Sequence, residues 1–174
     1  PADAAIGGLD DAFRYVADSA LTSDPIGTVG LEIEMHLVDL ADPATRVSWD
    51  RLTTLVAGID RMPGGSAITL EPGGQVELST VPAPDIATAV ALLDQDRRAL
   101  SAEFAAEKLG LATVGADPAR RFERMNPKPR YAAMEDHFRA TGSGIAGPAM
   151  MCSTAALQLN VNAGPQRDWP TRVR

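Results

Sequence analysis

The stretch from Val29 to Val38 constrains the fold more than any other segment, because its hydrophobicity repeats every two residues. Apolar side chains occupy the odd-numbered positions, and the even-numbered ones include Glu32, Glu34 and His36. Successive side chains of a β-strand point to opposite faces of the sheet, so the alternation predicts a half-buried strand with both glutamates on its polar face. A chain with such a strand needs a sheet that is packed on one face and polar on the other.

Other segments predict the remaining strands of this sheet. Residues 75–80 follow the turn Glu71-Pro72-Gly73-Gly74 and should pair with residues 67–70 as a tight antiparallel hairpin. Residues 111–114 are a further candidate strand, and Met150 to Val161 is strand-like in composition. Three of the strands carry a row of hydrogen-bonding side chains at a period of two: Glu32, Glu34 and His36; Gln75, Glu77 and Ser79; Gln158, Asn160 and Asn162.

Helical periodicity in the intervening segments predicts an α+β fold. The predicted helices cover residues 3–21, 50–59, 84–109 and 130–140, the first with Leu9, Phe13, Val16 and Ala20 on its apolar face. The longest should pack Ile86, Val90, Leu93, Leu100 and Phe104 against the sheet and end at Gly110. No repeat or linker divides the chain, so residues 1–174 read as part of one domain. A helix start at Asp168-Trp169-Pro170 leaves only four residues after it, so we expect that domain to be incomplete at its C-terminus.

Composition excludes several classes of protein. The chain has 16 basic and 23 acidic side chains, a net charge of −7 and no basic run, which argues against nucleic acid binding. Its one cysteine cannot close an intrachain disulfide, and no Cys/His ligand set suggests a zinc finger. No stretch approaches the roughly 18 consecutive apolar residues of a membrane-spanning helix, and the start lacks a secretory signal. We therefore predict a cytoplasmic protein that binds neither nucleic acid nor a membrane.

The predicted sheet gathers several carboxylates, which suggests a metal site. Neighbouring positions on one strand face lie about 7 Å apart, where two carboxylates repel by roughly 2 kcal/mol at an effective dielectric near 20. Glu32, Glu34 and Glu77, with Glu71 on the turn, would need a cation. Oxygen donors suit Mg²⁺ or Mn²⁺, which commonly hold substrate phosphates, so the sheet is a candidate ATP platform that lacks a Walker loop. Glycoside hydrolysis by a carboxylate pair is the second candidate, although it leaves the other glutamates and the carboxamides unexplained.

Ordinary structural explanations compete with these functional ones. Any single strand with a solvated face alternates in this way. Gly73 and Gly74 are explained by the turn alone, and Cys152 by a small position in the core. His36 is ambiguous between a hydrogen-bonded neighbour of Glu34 and a ligand. The combination of three polar strands is what favours a site.

Four segments, taken in order along the chain, carry a specific resemblance. They are Gly30-Leu31-Glu32-Ile33-Glu34, Ile68-Thr69-Leu70-Glu71-Pro72-Gly73-Gly74-Gln75-Val76-Glu77-Leu78-Ser79, Met125-Asn126-Pro127-Lys128-Pro129-Arg130-Tyr131 and Leu157-Gln158-Leu159-Asn160. Together they resemble glutamate-cysteine ligases of the branch that includes the plant enzymes, and most nearly the members of the ergothioneine pathway. The resemblance covers most of this chain, which would form the N-terminal part of such a ligase.

The resemblance implies a glutamine-synthetase-like fold, an antiparallel sheet with helices on its outer face. It also implies that ATP phosphorylates the γ-carboxylate of glutamate and that the amino group of cysteine attacks the acyl phosphate to give γ-glutamylcysteine. The metal positions of the family fall on Glu32, Glu34, Glu71, Glu77 and Gln158. We assign catalysis to Glu32, Glu34 and Arg130, and substrate binding to Asn160, Gln75 and Tyr131. The alternative is a non-catalytic or regulatory module that has kept a metal-binding sheet.

Overall fold

The computed structural model describes residues 7–19, 23 and 27–172 of the chain. Contacts divide the chain into two compact units, of which the larger is Val29–Asn160. The smaller unit combines Pro1–Thr28 with Val161–Arg174. Every site residue that the sequence predicts belongs to the larger unit, so the candidate site can be described within that unit alone.

A five-stranded sheet organises the larger unit. Its strands are β1 (Val29–Asp39), β2 (Ala67–Leu70), β3 (Val76–Ser79), β4 (Leu109–Ala112) and β5 (Leu157–Val161). The order is β2-β3-β1-β4, and β5 also pairs with β1. β1 is antiparallel to β3 and β4, and β2 is antiparallel to β3. The predicted hairpin and the long central strand are therefore confirmed.

Four helices accompany the sheet: α2 (Trp49–Ala57), α3 (Ile86–Ala106), α4 (Pro129–Ala140) and α5 (Ala146–Ser153). The start of α2 is capped by Ser48, whose hydroxyl accepts the Arg51 N–H, and that of α3 by Asp85, whose carboxylate accepts the Thr88 N–H. These caps satisfy N–H groups that a helix leaves unpaired in its first turn. Helices and antiparallel strands together confirm the α+β class.

The core lies between one face of the sheet and α3. The helix contacts β1, β3 and β4, and its buried positions include Leu93, Leu100 and Phe104. Opposite them, Met35 and Leu78 are fully buried on the same sheet face. Because strand residues alternate, the even positions of β1 then face the other way, where Glu32, Glu34 and Glu77 are only partly buried.

Two details of the longest helix differ from the prediction. It ends at Ala106, and Lys108, with a φ of 60°, reverses the chain instead of Gly110, which lies inside β4. The predicted core positions Ile86 and Val90 are half-exposed. Their place in the core is taken by Ala89 and Asp96, both fully buried. The apolar pattern could not reveal Asp96, because a buried carboxylate adds nothing to hydrophobic periodicity.

The strand predicted from Met150 to Val161 is wrong in its first part. Residues 146–153 form α5, and only Leu157–Val161 is a strand. Met151 and Cys152 are buried in a small cluster with Tyr131, against which Phe138 packs. A short apolar run fits a buried helix as well as a strand, and here tertiary packing against α4 decided for the helix.

The described part of the smaller unit contains two helices. Leu9–Ser19 forms α1, with Leu9, Phe13 and Val16 exposed; residues 3–6 and 20–21 of the predicted helix lie outside the described residues. A 3-10 turn over Gln166–Asp168 leads into α6 (Trp169–Arg172), as the helix-start signal predicted. Across the ranges that the structure describes, no helix is both long and apolar enough to traverse a bilayer.

Candidate active site

Two carboxylates face each other across the polar face of the sheet. Glu34 on β1 is the register partner of Glu77 on β3, and Glu32 is the partner of Ser79. Directly paired residues of antiparallel strands have Cβ atoms about 4.5–5.5 Å apart, and diagonal neighbours are about 7–8 Å apart. Glu32, Glu34 and Glu77 therefore share one face, as the alternation predicted.

Glu71 joins this group from the turn between β2 and β3. Its burial and then the Glu77 and Glu34 carboxylates raise the pKa of Glu71. Arg130 and Lys128 oppose the increase without cancelling it. A carboxylate whose neighbours are other carboxylates is poorly stabilised in its charged form, which is the condition that a bound cation would relieve.

Glu34 has the same electrostatic character, although the chain supplies it with two donors. The Ala156 backbone N–H donates to one carboxylate oxygen at 3.0 Å, and the Gln158 amide donates to the other at 3.4 Å. Burial nevertheless raises the pKa of Glu34, and Glu77 and Glu32 add to the effect. In the part of the chain that the structure describes, no ion pair is formed by Glu32, Glu34, Glu71 or Glu77.

The turn that carries Glu71 is held in place by its glycines. Gly74 has a φ of +83°, which glycine adopts without strain, and its N–H donates to the Glu71 carbonyl at 3.0 Å. A Cβ on Gly73 would lie 2.0 Å from the Cys152 carbonyl oxygen. The explanation by the turn is thus confirmed for Gly74, whereas Gly73, whose φ is not positive, is required for close packing against the end of α5.

Gln75 connects this turn to α5. It is fully buried, and its side-chain oxygen accepts the Gly73 N–H at 2.9 Å. Its amide nitrogen donates to the Thr154 carbonyl at 2.6 Å. Gln75 therefore lines the site, but two of its hydrogen-bonding groups already serve to position the turn.

A cleft of about 350 Å³ opens beside the carboxylates. It brings five of the predicted residues together with five that the sequence did not indicate. The predicted ones are Glu34, Glu71, Gln75, Arg130 and Tyr131, and the others are Pro72, Met134, Met150, Met151 and Thr154. The methionine pair was visible in the sequence, but assigning it to a strand hid its place on a helix that walls the cleft.

Arg130 and Tyr131 form a unit at the start of α4. The guanidinium carbon lies 4.4 Å from the centroid of the Tyr131 ring, and a guanidinium N–H donates to the tyrosine hydroxyl. That hydrogen bond is the main cause of the raised pKa of Arg130, and the Glu71 and Glu77 carboxylates act in the same direction. Tyr131 is buried while Arg130 is exposed, so the ring supports a cation that faces solvent.

The other predicted residues lie on the same sheet but outside the cleft lining. Glu77 accepts the Thr69 hydroxyl at 2.6 Å and the Ser79 hydroxyl at 3.1 Å. Gln158 contacts Glu34 as described, and Asn160 is exposed on β5. The Asn160 Cβ lies 3.7 Å from the place where Gly30 would carry a Cβ, so glycine leaves room for this side chain.

His36 does not belong to the carboxylate group. It is buried and faces a small cavity that it shares with Arg46 and Arg120. Burial lowers the pKa of His36, Arg120 and Arg46 lower it further, and Asp117 partly opposes them. Cys152 is a core residue, as predicted, and burial raises the pKa of its thiol to about 11.

The oxygen donors of these side chains suit a hard divalent ion whose coordination shell is completed by other ligands. Within residues 7–19, 23 and 27–172, no three His, Cys, Asp or Glu side chains come close enough to hold an ion by themselves. Mg²⁺ keeps several waters and usually takes only a few carboxylates together with phosphate oxygens. Glu34, Glu71 and Glu77 are partly buried carboxylates without ion pairs, and could serve in this way.

Comparison with known proteins defines the class to which this fold and site belong. Residues 28–174 match the model of glutamate-cysteine ligase family 2 (GCS2), so the chain belongs to that family. The resemblance that was read from the four segments is thereby confirmed.

Particular relatives show where in the family the similarity is strongest. The chain is 49% identical over 165 residues to glutamate-cysteine ligase EgtA of Mycolicibacterium smegmatis, covering 95% of this chain and 39% of that protein. It is 46% identical over 174 residues to EgtA of Mycobacterium tuberculosis, covering 100% of this chain and 40% of that protein. A chloroplastic glutamate-cysteine ligase of Medicago truncatula is 30% identical over 135 residues, covering 75% of this chain and 26% of that protein. The chain thus spans about two fifths of the EgtA relatives.

Proposed function

We propose that the protein containing this chain is an ATP-dependent ligase that joins the γ-carboxylate of glutamate to the amino group of cysteine. The relatives named glutamate-cysteine ligase EgtA support this reaction. The observation that carries it is the group formed by Glu34, Glu71 and Glu77 beside a cleft: Glu34 faces Glu77 in register, and burial together with neighbouring carboxylates raises the pKa of Glu34 and of Glu71. A cation shared with phosphates would stabilise such a group.

In this proposal Glu32, Glu34, Glu71, Glu77 and Gln158 hold Mg²⁺ or Mn²⁺. When bound, the ion supplies charge that neutralises phosphate oxygens and positions the nucleotide. The strands of a sheet hold the carboxylates more rigidly than a loop would, which favours the alignment that phosphoryl transfer to glutamate requires. The glutamine-synthetase-like character of the sheet belongs to the same proposal.

The remaining predicted residues would bind the amino acids. Arg130, supported by the Tyr131 ring, is an exposed guanidinium in the cleft and could pair with a substrate carboxylate. Gln75 retains one amide hydrogen beyond the bond to Thr154, and this hydrogen is what it could offer a substrate. Asn160 presents an exposed amide on the same sheet. We assign Arg130 to catalysis and Gln75, Tyr131 and Asn160 to substrate binding.

The chain would form the N-terminal part of a catalytic domain, with a cytoplasmic location and a product that enters ergothioneine or a related thiol. Nucleotide base contacts would come from residues outside it.

A coupled assay of ADP release on the full-length protein tests the proposal. Release should require glutamate and Mg²⁺ and should rise on addition of cysteine, with formation of γ-glutamylcysteine detected by mass spectrometry. Binding of Mg²⁺ without any ADP release would favour the non-catalytic module. Hydrolysis of a glycan without ATP would favour the carboxylate-pair alternative and contradict the ligase.

A further inference from the structure

Three of the six methionines of the chain converge on the cleft. Met134 comes from α4, and Met150 and Met151 come from α5. Met134 is 39% and Met150 53% exposed, whereas Met151 is buried. The same cleft contains Glu71 and Arg130, so a molecule that reaches the charged groups also meets thioethers.

This methionine wall is firmly held. Gly147, at the start of α5, packs so closely on the Phe138 ring of α4 that a Cβ would lie 2.1 Å from a ring carbon. At the other end of α5, Gln75 donates to the Thr154 carbonyl and Cys152 packs on Gly73. The wall is thus tied both to α4 and to the turn that carries Glu71, which gives it a defined place relative to the reacting groups.

Two hydroxyl groups next to the wall are already engaged. The Thr154 hydroxyl donates to the Met150 carbonyl at 2.7 Å, and the Tyr131 hydroxyl accepts from Arg130. A ligand group that contacts the methionines therefore meets sulfur and methylene atoms. Thioether sulfur is polarisable, and a thiol is only a weak hydrogen-bond donor, so a thiol can be transferred to this surface at little cost.

We propose that Met134, Met150 and Met151 bind the side chain of the sulfur-containing amino acid and select a thiol over a hydroxyl. This inference rests on the proposed ligase function and adds the residues that determine its second substrate. A hydroxyl that lies against these methionines would find no strong hydrogen-bond partner among them, and leaving a polar group unpaired lowers affinity by a factor of ten or more.

Steady-state kinetics of the full-length protein test the inference through polar substitutions in the two exposed methionines. Met150→Gln and Met134→Gln should each raise the KM for cysteine by about tenfold and leave the KM for glutamate and ATP unchanged. The preference for cysteine over serine should fall by a similar factor. 2-Aminobutyrate, which replaces the thiol by a methyl group, should follow cysteine rather than serine.

Matched controls separate this effect from general damage. Met150→Leu keeps an apolar side chain of similar volume and should retain the preference for cysteine. Ile86→Gln introduces the same polar group at a half-exposed site on α3 and should change neither KM nor preference. Because the two methionines lie on different helices, Met134→Gln provides the test if Met150→Gln fails to fold.

The outcomes also separate this inference from the proposed function. If the unmodified protein releases ADP with glutamate and cysteine but both glutamine variants keep the cysteine KM and the preference over serine, the methionine assignment is overturned while the ligase stands. If no glutamate-dependent ADP release occurs, the proposed function itself fails. A drop in preference in both variants, retained in Met150→Leu, supports the assignment.

Discussion

Two Pro-Gly-Gly turns flank β2, and they have the same backbone but opposite electrostatic surroundings. In the first, Gly65 has a φ of +84° and its N–H donates to the Met62 carbonyl; in the second, Gly74 has a φ of +83° and donates to the Glu71 carbonyl. The hydrogen bonds measure 2.9 and 3.0 Å. Local sequence therefore specifies the shape of both turns in the same way.

The carboxylates at the two turns behave differently. Asp96 on α3 is fully buried beside the first turn and accepts the backbone N–H groups of Gly64 and Ser66. Glu71, on the second turn, is half-buried among Glu34 and Glu77, and its pKa is raised. A buried carboxylate with donors holds a turn together, whereas one that lacks them is available to a cation. The first turn thus serves the fold, and the second carries a carboxylate of the proposed site.

The largest expected effect is a loss of activity when carboxylates at or beside the second turn are replaced. Glu71→Gln or Glu34→Gln in the full-length protein should reduce ADP release by about 10²–10³-fold, because each change removes a metal-binding charge but keeps the shape of the side chain. Folding stability should be unchanged or slightly higher, since repulsion among the carboxylates is reduced. Thermal melting measures that stability. Near-normal ADP release in either variant would contradict the assignment of the site.

The reverse pattern is expected at the first turn. Asp96→Ala leaves two N–H groups without their acceptor and creates a cavity, so the free energy of unfolding should fall by about 3 kcal/mol. The fraction that remains folded should keep its KM for glutamate and ATP. Urea denaturation measures the loss, and Asp94→Ala, on the same helix, is the control because the Asp94 carboxylate accepts hydrogen bonds from Arg97 and Arg98 at the surface. Equal losses in the two variants would remove the distinction between the turns.

Adding a methyl group to each turn tests which packing is tighter. Gly73→Ala should cost about 2–3 kcal/mol, because its Cβ would lie 2.0 Å from the Cys152 carbonyl oxygen. Gly64→Ala should cost less, about 1–2 kcal/mol, because its Cβ would lie 2.8 and 2.9 Å from the Asp96 carboxylate oxygens and 2.9 Å from the Leu92 carbonyl oxygen, which are less severe overlaps than the one at Gly73. Chemical denaturation of both variants ranks them, and a larger loss for Gly64→Ala would contradict the packing described here.

Ligand binding should stabilise the second turn and leave the first unaffected. At ten times the dissociation constant, a ligand adds about 1.4 kcal/mol of stability. Mg²⁺ with ATP should raise the melting temperature of the full-length protein more than Mg²⁺ alone, because shared ions couple the carboxylates to the phosphates. Amide hydrogen exchange should slow at Gly74 and stay constant at Gly65. Equal melting shifts with and without nucleotide would indicate a structural ion.

The smallest expected effect concerns alkaline pH. Burial raises the pKa of Cys152 from 9.0 to about 11, so the folded state keeps the proton more tightly than the unfolded state. The stability that this contributes is fully present below pH 9.0 and is lost as the pH rises through about 11. The difference in melting temperature between the unmodified protein and Cys152→Ala should therefore shrink over that interval. A constant difference would contradict the raised pKa of the buried Cys152 thiol.

The parts of the fold that the sequence predicted are those with a local cause. The alternation in β1 and the glycines of the β2–β3 turn follow from neighbouring residues, and both are confirmed. The stretch from Met150 was assigned wrongly because its burial depends on α4, which lies earlier in the chain. The role of His36 could not be decided for the same reason, since Arg46 and Arg120 lie far from it in sequence.

By itself the sequence determined the strand that carries Glu32 and Glu34, the turn at Pro72-Gly73-Gly74 and membership of the glutamate-cysteine ligase family. Periodicity and backbone conformation are properties of adjacent residues, so these features could be recognised without a structure. Only the tertiary structure decided that Glu34 pairs with Glu77, that methionines wall the cleft and that Asp96 rather than Glu71 receives backbone donors. Each of these depends on which distant segments meet, and the free energy of a carboxylate is determined by the donors and charges that folding brings to it.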